Sequence, residues 1–261
     1  MKTIKARHKL IPAIIMLIVA AITMSTASYA WFTMSNRVEV TGINLSVVAP
    51  TNLLIREKGT GNFTNSITVA ANPSGKLSHA SSEKGEVMFT VENPIANVKP
   101  DGTLESLTNI VTTTTPVAST DGYYVDFEFE LINTGSTVAT IGLNNLQINV
   151  GTTSVAGGDV VDAVRFAILE GGTTSRGVFG MVPENLTVYG AAGTAIAAGS
   201  QTVISSTATS MFTVLANGVI SPLANQKDIT VRIWIEGQDP DCVSLNAGSS
   251  FNISFDLVVL P

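Results

Sequence analysis

Three carboxylates near the C-terminus, Glu236, Asp239 and Asp241, fall within six residues of the run Trp234-Ile235-Glu236-Gly237-Gln238-Asp239-Pro240-Asp241-Cys242. Hard oxygen ligands crowded into a Gly/Pro turn suit a calcium ion. The spacing is not that of an EF-hand loop, and a water-facing acidic turn accounts for the same residues; both readings stay open. Calcium is the only cofactor for which the chain offers a ligand set. Asp126, Glu128 and Glu130 form a second acidic row, interleaved with Val125, Phe127, Phe129 and Leu131. Such a row can do general acid–base work. Strict alternation instead puts it on the solvent side of a strand, where charge also discourages edge pairing. His79, in Lys76-Leu77-Ser78-His79, is the only histidine beyond residue 30, so a Ser-His-Asp triad has a single candidate base. Cys242 has no basic or histidine neighbour to lower its pKa and reads as a small apolar core residue. No H-E-x-x-H, G-x-S-x-G, G-x-G-x-x-G or P-loop pattern occurs. The expectation is a protein that is not an enzyme.

The elements that must position these residues are strands. Beyond residue 30, helical periodicity is nearly absent and period-2 alternation recurs. Residues 123–132 place Tyr123, Val125, Phe127, Phe129 and Leu131 on one face. Asn133-Thr134-Gly135 then makes a turn. Residues 227–236 point Ile229, Val231, Ile233 and Ile235 inward and Thr230, Arg232, Trp234 and Glu236 outward. Residues 251–259 alternate through Phe251, Ile253, Phe255, Leu257 and Val259. Further strands are expected at 53–57, 66–70, 87–92, 138–143, 146–150, 164–169, 186–189 and 211–215. Short strands separated by Gly, Asn and Ser turns indicate an all-β fold, an antiparallel β-sandwich of jelly-roll-like type. Residues 49–261 read as one domain with loop insertions near 93–122 and 190–210. The first has room for a short helix around 103–110; the second, rich in Ala, Gly, Ser and Thr, is a loop or a pair of weak edge strands.

The N-terminus sets the compartment. Lys2, Lys5, Arg7 and Lys9 precede the apolar run 10–24, and Ser28-Tyr29-Ala30 puts small residues at −3 and −1 of a cut after Ala30. This is a signal-peptide pattern, residues 1–30, to be removed by a signal peptidase. Left uncut, the same segment would be a membrane anchor, the chain's only means of entering a bilayer. The whole chain has 14 Lys+Arg against 20 Asp+Glu, and residues 1–30 hold four of the basic residues and no acid. The exported portion therefore has 10 basic and 20 acidic residues, net −10. That charge argues against nucleic acid as a partner. With one cysteine no intramolecular disulfide can form, so packing must hold the exported domain.

After Tyr29-Ala30-Trp31-Phe32 and a polar spacer comes Val38-Glu39-Val40-Thr41-Gly42-Ile43-Asn44-Leu45-Ser46-Val47. This segment resembles the N-terminus of the TasA/camelysin-like exported proteins of Gram-positive bacteria. The 123–135 strand and turn and the 234–242 turn are similar to features of exported proteins with that N-terminus. The resemblance implies a jelly-roll-like sandwich and assembly into extracellular fibres, with the N-terminal strand of one subunit completing the sheet of the next. Residues 31–48, with Trp31, Phe32, Val38, Val40, Ile43, Leu45 and Val47 as contacts, would be that donor strand, or else the first strand of their own domain. The alternation changes phase across Thr41-Gly42, where a glycine permits a bulge or hinge. The expected function is that of a secreted or cell-surface bacterial structural protein, a self-associating subunit of a surface or biofilm-matrix filament. The alternative is a monomeric surface module that binds a glycan or protein through exposed aromatics such as Trp234 or Tyr124. The metalloprotease activity ascribed to camelysin-type members is not carried over, because no zinc-ligand motif is present.

Overall fold

The computed structural model describes residues 16, 40–50, 52–71, 76–91, 110–117, 121–151, 160–192, 195–205, 210–242 and 249–261. In chain order the strands are β1 (Val40–Val48), β2 (Leu53–Glu57), β3 (Ser66–Ala71), β4 (Met88–Val91), β5 (Ile110–Thr113), β6 (Val125–Asn133), β7 (Ala139–Val150) and β8 (Val164–Glu170). They continue with β9 (Thr174–Phe179), β10 (Asn185–Ala192), β11 (Ala195–Ile204), β12 (Phe212–Val214), β13 (Val219–Ile220), β14 (Leu223–Ala224), β15 (Lys227–Ile235) and β16 (Ser249–Leu260). The fold is all-β, as the alternation implies.

A five-stranded sheet, order β12-β7-β16-β1-β3, faces a seven-stranded sheet, order β10-β11-β9-β8-β15-β6-β2. Alternate residues of both sheets meet in one core, among them Leu45, Ile148 and Phe255 from the first and Phe129, Phe166 and Val231 from the second. Phe166 stacks on Phe255, centroids 5.3 Å apart, and on Phe179 at 5.1 Å. β1 lies inside its sheet, parallel to β16 on one side and antiparallel to β3 on the other. Its register to β16 shifts between Val40 and Ile43, at the Thr41-Gly42 phase change. Past that shift Ile43, Leu45 and Val47 are all but completely buried.

Several local expectations change. The two strands expected at 138–143 and 146–150 are the single strand β7, which carries a bulge. Gln147 and Asn144 oppose Ser254 and Asp256, one residue more on β7 than on β16, and Asn145 takes φ 50° there. A short polar side chain tolerates that conformation, and Asn145 Nδ2 donates to Asp256 at 2.5 Å. The 133–135 turn is organised by a side chain: Asn133 Oδ1 accepts from Gly135 N and its Nδ2 donates to Thr137 O. Most of residues 190–204 is strand: β10 and β11 pair antiparallel, so a hairpin with β10 at the sheet edge fills that span rather than a loop. The end of the 93–122 insertion carries β5, paired with β4; the helix expected at 103–110 lies outside the described residues, apart from Ile110, which opens β5. β9 had no counterpart among the expected strands.

Because β1 is an interior strand, Leu45→Ala should destabilise the domain by about 2–5 kcal/mol, as a core truncation does. Urea unfolding measures it, and Leu257→Ala on β16 should cost a comparable amount.

Candidate functional site

A third layer covers the outer face of the seven-stranded sheet. Residues 76–91 cross it as a strap: Ala80 N donates to Ile235 O at 2.9 Å, Gly237 N returns to Ala80 O at 2.8 Å, and Ser81 pairs with Phe89. Under the strap lies a second, smaller core of Ala80, Met88, Tyr124, Ala167, Leu169, Val178 and Trp234. Gly85 makes the fit. A Cβ there would come within 2.4 Å of Ala167 Cβ and 3.2 Å of the Trp234 ring, and its φ of +77° suits glycine. Trp234 and Glu236, expected to face outward, are therefore fully buried, and Tyr124 is 7% exposed. The two aromatics named above for a glycan- or protein-binding surface are thus not exposed. His79 belongs to the strap and is half-buried against Gly237.

Beside this core a buried polar network joins five segments. Glu236 Oε2 accepts from Trp234 Nε1 at 3.1 Å, from Gln201 Nε2 at 2.9 Å and from Ser82 N at 3.3 Å, and its Oε1 accepts from Gln238 N at 3.2 Å. Gln201, on β11, also donates to Ser82 O and accepts from Arg165 Nε at 3.3 Å. Arg165, on β8, is completely buried. Its Nη1 donates to Asp162 O and Val164 O, and its Nη2 to both Glu184 and Asp239. Burial raises the Glu236 carboxyl above its ordinary range, although Ser81, Trp234, Gln238 and Ser82 hydrogen-bond to it. Burial likewise pushes the Cys242 thiol up, which fits an inert core residue.

Of the residues expected to hold calcium, Glu236 and Asp239 stand at opposite ends of this network and Asp241 is exposed. Asp239 spends one oxygen on Arg165 and the other on Asp241 N at 2.7 Å. The carboxylates that a cation would need thus face a guanidinium, an indole and amides, and Arg165 would repel a second positive charge. Among the described residues no group of three or more His, Cys, Asp or Glu side chains is arranged to hold a metal. The acidic row on β6 is also only partly solvated. Asp126 makes two bonds to Arg232 at 2.8 Å, Glu130 is 6% exposed and bonds Arg56 at 2.6 Å, and Glu128 alone of the three is exposed, with Lys58 Nζ 3.8 Å from its carboxylate. Arg232 stacks over Tyr124 at 4.2 Å.

Of the N-terminal residues singled out above, Ser28, Ala30, Trp31, Phe32 and Val38 lie outside the described residues. Val40 pairs with Ser249, and Ile43, Leu45 and Val47 sit in the chain's own core. Arg165, Gln201 and Glu184 were not foreseen; the signal for Arg165 was one charge inside the apolar run Val164–Glu170. Comparison with protein-family models, with curated proteins and with solved structures returns no match.

The network holds elements together, and breaking it should show as lost stability. Arg165→Ala leaves Asp239 buried without its cation and should cost about 3–5 kcal/mol. Glu236→Gln keeps the shape and should cost clearly less. Paired urea unfolding curves at neutral pH measure the difference.

Proposed function

We propose that this chain is an exported, non-enzymatic structural protein, a subunit of an extracellular surface or biofilm-matrix filament in which the N-terminal segment of one copy adds a strand to the next. The N-terminal resemblance to TasA/camelysin-like proteins motivates the reading, and the observation that carries it is the outer edge of β3, which pairs with no strand among the described residues. β3 ends the five-stranded sheet with the sequence Ser-Ile-Thr-Val-Ala-Ala, which has no charge and no proline. Strand edges left so unguarded invite pairing with another chain. β2, an edge of the other sheet, carries Arg56 and Glu57, and β12 is three residues long. β10 is also uncharged, but β3 is the edge beside β1, into which residues 31–39 lead. Ile67, Val69 and Ala71 pack against the core while still partly exposed, a row that an added strand would cover.

The donated segment is residues 31–39 rather than 31–48. Four residues, 49–52, join β1 to β2, about 14 Å at full stretch. Ala49 N is bonded to Asn65 O and Leu53 N to Pro50 O within the same domain. β1 can therefore hardly leave its own sheet while β2 stays in the other. Trp31 and Phe32 each gain about 1.5–3 kcal/mol by leaving water for a neighbour's surface.

Sizing and negative-stain electron microscopy of residues 31–261 test this. Filaments are expected, with folded monomers from the chain lacking residues 31–39 and from the Thr68→Lys/Ala70→Lys double variant, which charges the exposed face of β3. A chain that stays monomeric at high concentration, or filaments unchanged in both variants, would refute the proposal.

A further inference from the structure

We propose that Glu184 and Asp239 form a proton-sensitive latch on Arg165, which holds the start of β10 in mildly acidic conditions and releases it in mildly alkaline ones. Both carboxylates accept from the same guanidinium nitrogen, so two negative charges are held within a few ångström of each other by one cation. Such a pair does not ionise fully without strain unless one member moves away. Asp239 cannot: its side chain is 2% exposed and its other oxygen is committed to Asp241 N. Glu184 can, because its side chain is 24% exposed and it lies in the connection between β9 and β10. Its partner has no such freedom. Arg165 is tied to two carbonyls of its own chain segment and to Gln201, and is fully buried.

Among the described residues, the charged groups that face Glu184 are Arg165 from β8 and Asp239 from the turn after β15. Burial raises the Glu184 carboxyl, Arg165 draws it back, and Asp239 raises it again, to about 7. A folded-state value above the ordinary one means the folded state binds the proton more tightly than the unfolded chain. The latch's contribution is therefore complete below the ordinary carboxylate range and is lost as pH rises through about 7. Protonated Glu184 can share its hydrogen with Asp239 while both stay on Arg165.

The main chain supplies a reporter. Val203 N on β11 donates to the Glu184 carbonyl at 2.8 Å. Release of Glu184 frees this amide and loosens β10, an outer edge of the seven-stranded sheet. Hydrogen exchange at Val203, corrected for intrinsic base catalysis, should show protection falling about tenfold or more between about pH 5.5 and 8.5, with a midpoint near 7. E184Q, whose amide can donate to Asp239 at any pH, should keep the protection high throughout. Protection independent of pH in the wild type, or the same fall in E184Q, would overturn the latch. Should E184Q not fold, carbon-13 titration of the wild-type Glu184 carboxyl decides: an ordinary carboxylate midpoint overturns the proposal, and one near neutrality supports it.

Discussion

The five-stranded sheet depends on one wedge, the strand β1 held between β16 and β3. The first and last strands of the domain are thereby neighbours, running parallel in a sheet whose other ladders are antiparallel. Among the described strands, β3 without β1 loses its only ladder in that sheet, and β16 loses one of two. The inward row Ile43, Leu45 and Val47 would leave its share of the core empty, at about 1.5–3 kcal/mol per side chain. The bulge between Val40 and Ile43 marks where this obligation begins. Residues past it belong to the domain, and it is the residues before it that the proposed assembly would use to join another copy.

The outer layer answers a different need. The strap, the β9–β10 connection, β11 and the turn after β15 are held to β8 by side chains more than by long ladders. Trp234 and Gly85 supply contact area, and Arg165, Gln201 and Glu236 supply direction. Taking these charges out of water is costly, and hydrogen bonds on nearly every donor and acceptor offset that cost. Such a network accepts few arrangements, which suits a domain with no disulfide to fix its loops.

The strands on which one face meets the core were legible. Tyr123 to Leu131, Ile229 to Ile235 and Phe251 to Leu257 alternate because one side of each is apolar, and period 2 reports that directly. What alternation hid was the second core. Thr230, Arg232, Trp234 and Glu236 look like a solvent row, yet a strap some 150 residues earlier in the chain covers Trp234 and Glu236. The clue lay in β8, where Ala167 and Leu169 occupy the parity opposite to Phe166 and Ile168. A strand apolar at both parities is covered on both sides. The pairing of Arg165 with Glu184 and Asp239 joins residues 19 and 74 positions apart, which no local pattern encodes. The β10–β11 hairpin was half-visible, since small residues in sequence suit edge strands and loops alike.

The central claim is that β1 pairs inside its own subunit while the segment before it does the joining. Ser46 on β1 and Thr68 on β3 hold their hydroxyls 3.2 Å apart, so cysteines at both positions should form a disulfide. Oxidising the Ser46→Cys/Thr68→Cys protein and running it without reductant tests the claim most directly. The account predicts a disulfide closed within one chain, with no cross-linked species, whether the starting material is monomer or filament. A ladder of disulfide-linked chains would contradict it, because β1 would then be lying in its neighbour's sheet.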